Sequence, residues 1–159
     1  MSQIYSSISV EKKYSDILEK IVKVGLAQYY KPMPNDVKEK WSWRHDNWGT
    51  MLGCYENELH DGSYTYTTAW SPVSDDIIQK LLHEIPTFVY VWEDEQGFGC
   101  EYIYTDGQLE SSFEWDLPEW EQVSDGVTRL VSDYRNLEGL FTKGLYRDYN
   151  IYDYIGDEE

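Results

Sequence analysis

Three histidines each stand immediately before an acid in this chain: His45-Asp46, His60-Asp61 and His83-Glu84. A histidine oriented by a carboxylate is the pairing that general acid–base chemistry uses. No nucleophile or second acid lies close to His45-Asp46 in the sequence, so the pair alone defines no reaction. A zinc site wants spaced ligands, such as two side chains four apart on a helix, and none of the three pairs has that spacing. His83 falls near the end of a predicted helix, where the helix dipole favours a cation without any chemistry. Cys54 and Cys100 are far apart and form no metal-spaced pair. Cys100, in mid-strand without a basic neighbour, reads as a buried thiol rather than a nucleophile. Gly97-Phe98-Gly99 is a Gly-x-Gly without the rest of a dinucleotide fingerprint and with no helix after it, so a hairpin turn explains it better. No catalytic residue, metal ligand or cofactor site is assigned. A small hydrolase or transferase using a histidine–acid pair stands as the alternative function.

Charge is the strongest compositional feature. The 159 residues carry a formal net charge of −17. Residues 1–92 hold 12 acidic and 9 basic side chains, a balance of −3, whereas residues 93–159 hold 18 and 4, a balance of −14. Such a chain repels nucleic acid, whose phosphates need a basic footprint. The acidic half is either a solubilising surface or a surface aimed at a basic partner. No run of about 18 apolar residues is present, and the first residues lack the apolar stretch of an export signal. A cytoplasmic location with two reduced thiols is expected.

The elements that would position these residues follow from periodicity. Residues 9–24 repeat apolar side chains at spacings of three and four, predicting a helix from an N-cap at Ser9 to a stop at Gly25. A short helix follows "KPMPND", from Asn35 or Asp36 to about Arg44. From Thr50 the period becomes two, and Asp61-Gly62 predicts a hairpin. Ser71 and Pro72 open a helix that ends at Pro86. Three strands follow, "TFVYVWED", "GFGCEYIYT" and "QLESSFEWD", and then a helix across "LPEWEQVSDGVTRLVSDYRNLEG" in which Gly126 is a possible break. A tyrosine-rich acidic tail ends the chain, without clear periodicity. The expected class is α+β: an antiparallel sheet of about five strands with helices packed on one face, plus N-terminal and C-terminal helices. The helix between the second and third strands sits where a ferredoxin-like crossover would go. The chain divides into an N-terminal helix (1–27), a core (28–116) and a C-terminal helix and tail (117–159), all in one domain.

The stretch "WRHDNWGT", 43–50, sits at the change of period. Gly49 after a short helix is where a left-handed cap is expected. Asn47, Trp48, Gly49 and Thr50 are therefore read as a structural motif, with Trp48 under the sheet and Asn47 and Thr50 bonding backbone groups. Together with Pro32 and Pro34, with Thr68-Ala69-Trp70-Ser71-Pro72, and with Gly97 and Gly99, this set resembles the YubB ferredoxin-like domain family. Those proteins are carried by plasmids, phages and pathogenicity islands. The resemblance spans roughly residues 28–116. It departs from the family pattern after Thr50, where Met51 and Leu52 replace a basic residue and a second tryptophan. It implies a ferredoxin-like core and a mobile-element origin, and brings no catalytic residue or cofactor.

Alternation places Tyr64, Tyr66, Trp70, Phe88, Tyr90, Trp92, Phe98, Tyr102 and Tyr104 on one sheet face, either open or covered by the C-terminal helix. Ala69, Val89, Val91 and Ile103 lie on the other, suited to packing under helices. An open aromatic face would suit base stacking, but the charge favours a protein partner. The expected function is thus non-enzymatic: an inhibitory or adaptor protein of a phage or other mobile element that binds a basic protein. A nucleic-acid-binding host or defence protein would suit, with the chain acting as an anti-CRISPR or anti-restriction DNA mimic. Acids two apart on a strand are about 6.6–6.8 Å apart, a spacing comparable to that of phosphates. The candidate partner-binding residues are Glu93, Asp94, Glu95, Glu110, Glu114 and Asp116.

Overall fold

The computed structural model describes residues 2–115, 120–124, 126–130 and 151–156. Its main element is a six-stranded antiparallel sheet. The strands are β1 (Gln3–Val10), β2 (Tyr55–His60), β3 (Ser63–Ala69), β4 (Phe88–Asp94), β5 (Gly99–Thr105) and β6 (Gln108–Trp115), in spatial order β2-β3-β1-β4-β5-β6. Helices α1 (Ser15–Val24), α2 (Leu26–Tyr30) and α3 (Lys40–Trp48) lie between β1 and β2, and α4 (Asp75–Glu84) lies between β3 and β4. Because β1 is antiparallel to both β3 and β4, and β3 to β2, β1 runs parallel to β2 and β3 to β4. Two interleaved β–α–β crossovers result, and each needs its helix to span the intervening strand. β4, β5 and β6 continue as a meander.

The N-terminal segment departs from expectation. Residues 3–10 form the strand at the centre of the sheet, and α1 starts only at Ser15, after a 3₁₀ turn at Lys12–Tyr14. The alternation of "QIYSSISV" is hidden because both faces are buried and serine occupies positions on each. Ile4, Ser6, Ile8 and Val10 share one face; Ser7 and Ser9 share the other, and their hydroxyls each lie 3.1 Å from Ser63 Oγ. Gly25 ends α1 as expected, with φ +90°. The hairpin turn at Asp61-Gly62 is also as expected, both residues having positive φ, as hairpin turns of this kind require.

A further correction concerns the C-terminal helix. Where it is described, the segment expected as a C-terminal helix forms instead a small hairpin, β7 (Trp120–Ser124) and β8 (Val127–Leu130), and residues 131–139 of that expectation lie outside the described residues. Gly126 lies between its strands with φ +73°, a conformation that breaks a helix and suits a turn. The tail holds a short helix, α5 (Tyr152–Ile155), docked through Tyr152, whose hydroxyl accepts a 2.9 Å hydrogen bond from the Lys12 N–H.

The aromatic sheet face is core. Tyr64, Tyr66, Phe88 and Tyr90 join Leu18 and Ile21 of α1, Leu26 and Ala27 of α2, and Ile77, Ile78 and Leu81 of α4 in one buried cluster. The helices thus pack on the aromatic face rather than on the small-residue face. Rings stack along it: Tyr64 on Tyr66 with centroids 5.0 Å apart, and Phe88 on Tyr104 at 4.7 Å. Such large rings supply much burial from few residues. The small-residue face is buried too, including Thr65, Thr67, Val89 and Val91.

Candidate functional site

The residues around the opening histidine form a structural junction. Gly49 caps α3 in the left-handed conformation at φ +74°, its N–H bonded to the His45 carbonyl at 3.1 Å. A Cβ added there would lie 2.9 Å from the Ser74 backbone nitrogen. Trp48 is buried, donates from Nε1 to the Lys31 carbonyl at 2.8 Å, and meets Trp43 edge-on at 5.3 Å. Asn47 donates to the Trp43 carbonyl and Thr50 to the Ala69 carbonyl, at 2.9 and 2.7 Å. From the other side Ser71 Oγ donates to the Gly49 carbonyl at 2.5 Å, and the Ser74 N–H to the Trp48 carbonyl at 2.8 Å. The two sequence motifs, 47–50 and 68–72, therefore meet and bind each other's backbone. Ser71 serves this junction rather than capping a helix, and α4 starts at Asp75, with Ser74 at its N-cap position, and not at Pro72.

Trp70 leaves the aromatic row. It has φ +74° and is 60 % exposed, with its N–H held by the Ser2 carbonyl at 2.8 Å. The left-handed turn ends β3 at Ala69 and throws the ring outward. A bulky residue in this region is strained by about 1–3 kcal/mol, which the junction's hydrogen bonds sustain.

The histidines are exposed or partly exposed. His45 Nδ1 lies 3.4 Å from Asp46 Oδ1, with both side chains well exposed, in a hollow of about 360 Å³ lined by Trp41, Ser42 and Met51. His60 pairs not with Asp61 but with Glu58, at 3.1 Å. Asp61 belongs to the turn, and Glu58 stands two residues before His60 on the same strand, where side chains share a face. His83 is exposed on α4. Among the described residues no three histidine, cysteine or acidic side chains are placed to hold a metal ion, and no helix is long and apolar enough to cross a membrane. Both cysteines are free. Burial pushes the Cys54 thiol up to about 12, with opposing hydrogen bonds from Ala27 and Leu26. Cys100 is raised by burial as well.

The six candidate acids separate. Glu93 and Asp94 are buried, at 0 % and 4 % exposure, and do not belong to an acidic surface. Asp94 instead closes the β4–β5 turn: one oxygen accepts from Ser2 Oγ at 2.9 Å, the other from the Gln96 N–H at 2.8 Å. Glu93 lies on central strand β4 opposite Tyr5 and Gly99. Glu95 is half-buried, its N–H bonded to the Gln3 carbonyl. Glu110 and Glu114 are exposed on β6, the last strand in the sheet order. A register shift opposite Ile103/Tyr104 makes Glu110 the extra residue, and it accepts a hydrogen bond from Thr105 Oγ1. Glu114 pairs across the ladder with Cys100. Asp116 lies outside the described residues. Sequence alternation missed the bulge, and it missed the buried acids because a carboxylate that closes a turn reads like any solvated one.

Comparisons with protein-family models, curated proteins and solved structures give no match to this chain.

Proposed function

We propose that this chain is a non-enzymatic binding protein that engages a basic surface on a protein partner through the β5–β6 side of its sheet. The observation that carries the reading is the exposed edge strand β6, which presents Glu110 and Glu114 with the 51 % exposed Leu109 between solvent and sheet. An edge strand of eight residues is a template for association unless it is charged or covered. The acids therefore either repel other edges or select a partner of opposite charge, and the net charge of −17 favours the second by steering basic proteins towards the chain. The interleaved crossovers support a ferredoxin-like core with two added strands. The YubB-like assignment of residues 28–116 belongs to the same proposal, as does an inhibitory or adaptor role in a mobile element. In the DNA-mimicking form of that role, with Glu93 and Asp94 withdrawn and Glu95 half-buried, Glu110 and Glu114 are the exposed candidate acids among the described residues. A pull-down on the immobilised chain, at low and high salt, tests the reading. Basic proteins captured at low salt and released at high salt are the expected result.

The alternative, a hydrolase or transferase, draws on the hollow beside His45, where Ser42 and Asp46 also lie. Its side chains are displayed from one face of α3 and its pair is solvated, which leaves the imidazole without the buried orienting partner that catalytic pairs use.

A further inference from the structure

The buried aromatic row does not stop where the helix cover stops. At the N-terminal end of α4 the face opens into a cleft of about 140 Å³ bordered by Tyr90, Trp92, Tyr102 and Tyr104, with Asp75 at its rim. Tyr90 and Tyr102 stack with centroids 5.5 Å apart and planes 17° from parallel, and Tyr104 is tilted 32° from Tyr102 at 6.4 Å. Tyr90 is buried, whereas Trp92 and Tyr102 are half-buried. The ladder partner of Tyr102 on β6 is Ser112, too small to cover the ring.

One carboxylate, Asp75, lines the cleft; Glu114 stands outside its lining, on β6 as the ladder partner of Cys100. Asp75, the first residue of α4, acts on the Tyr104 hydroxyl, which is raised by burial first and by Asp75 next. The Tyr102 hydroxyl is pushed up to about 12, by burial first and by Cys100 next, with Glu114 adding least. No lysine or arginine lines the cleft among the described residues. The nearby acid Asp76 is paired with Lys31, and one Asp75 oxygen accepts from Gln79 Nε2 at 3.4 Å, which leaves its other oxygen for a ligand. The positive end of the α4 dipole, roughly half a charge, opposes a cation here, and the Asp75 carboxylate more than offsets it.

We infer that this aromatic cleft, with the Asp75 carboxylate at its rim, is the anchor site for an arginine side chain of the basic protein partner. The inference rests on the partner-binding reading above and names the contact that gives it specificity. A planar guanidinium stacks on aromatic faces and bonds carboxylates in a fixed fork, which a compact ammonium does not. The cleft is too small for a drug-sized ligand and accepts a side-chain head. Steering by the −17 charge would bring the partner near, and the cleft would fix its register.

The test is a titration of the ¹⁵N-labelled full chain, following the indole N–H signals of its tryptophans, with Trp92 assigned by Trp92→Phe. The probe is a capped Gly-Arg-Gly peptide, and its neutral isostere Gly-citrulline-Gly is the control. Saturable movement of the Trp92 signal with the arginine peptide and not the citrulline peptide is expected. Asp75→Asn and Tyr102→Leu, each first checked for a native-like spectrum, should weaken that response tenfold or more. No movement, or equal movement with both peptides, overturns the anchor site. The two readings fail separately. Basic proteins captured as well by Asp75→Asn and Tyr102→Leu as by the unaltered chain would sink the cleft and leave the partner reading intact. Arginine binding in the cleft with no basic protein captured would sink the partner reading alone.

Discussion

Replacing Gly49 by alanine should destabilise the chain far more than the same change at Gly107, and the difference measures how tightly the junction is packed. Both glycines have left-handed backbones, φ +74° and +83°. The conformational cost of a side chain there is therefore nearly the same, about 1–2 kcal/mol. Their surroundings differ. A Cβ at Gly107 meets nothing within 4 Å, whereas at Gly49 it meets Ser74 N at 2.9 Å, Ser74 Cβ at 3.0 Å and Ser74 Cα at 3.1 Å. Backbone atoms cannot rotate away, and the Ser74 N–H is already bonded to the Trp48 carbonyl. Overpacking of this kind costs about 1–3 kcal/mol. Gly49→Ala should then lose about 2–5 kcal/mol and Gly107→Ala about 1–2. At roughly 2–4 °C per kcal/mol for a chain of this size, the two melting temperatures should differ by about 2–12 °C. Circular dichroism at 222 nm, with urea midpoints as a second reading, measures this. Equal losses in both variants would mean that the close approach of Gly49 to α4 is absent and the junction is misdescribed.

Trp48→Ala removes a buried ring and leaves the Lys31 carbonyl without its donor, and should cost about 3–5 kcal/mol by urea unfolding; a loss under about 1 kcal/mol would contradict the buried placement. Stability should also fall in alkali. Burial raises Tyr64, Tyr66 and Tyr90 above the ordinary value of 10.0 and Cys54 from 9.0 to about 12, so the native state keeps protons that the unfolded chain releases. The contribution is whole below about pH 9 and is lost as pH rises towards 12; urea midpoints that stay flat from pH 8 to 12 would refute it. In the native protein at pH 8 a disulfide reagent should label Cys54 and Cys100 at least about tenfold more slowly than in urea, since the thiolate is the reacting form. His45→Ala should leave any ester-hydrolysing activity of the preparation unchanged; a loss specific to that variant would revive the histidine–acid reading.

Much of the scaffold was legible because its patterns are local. Apolar spacing located α4, and Asp61-Gly62 located a hairpin turn, since Asp-Gly accepts the positive φ that such a turn needs. Gly49 and Thr50 were legible as a cap and a backbone donor for the same reason. The centre of the sheet was not, because Ser6, Ser7 and Ser9 in β1 imitate an exposed segment. Their hydroxyls sit in the interior, those of Ser7 and Ser9 beside Ser63, a residue more than fifty positions away. The burial of Asp94 was equally hidden, since its partners Ser2 and Gln96 come from the residue just before a strand the pattern did not reveal and from a turn. The aromatic row was read correctly along β3, β4 and β5 except at Trp70, where one left-handed residue ended the alternation. Which face the helices would cover depended on the crossovers, and those depended on β1.

The partner reading is tested most directly by capturing proteins from a cell lysate on the immobilised chain and on its Glu110→Gln/Glu114→Gln variant, each at 50 mM and 500 mM salt, with mass-spectrometric identification. The amides keep the shape of β6 and remove two exposed charges, so the fold should change by less than about 0.5 kcal/mol per site. Screening shortens to a few ångströms at the higher salt. Basic proteins should be retained by the unaltered chain at 50 mM, released at 500 mM, and retained at least tenfold less by the variant. Equal capture by both forms at both salts would contradict the partner reading, and the charge of β6 would then serve only to keep sheet edges apart.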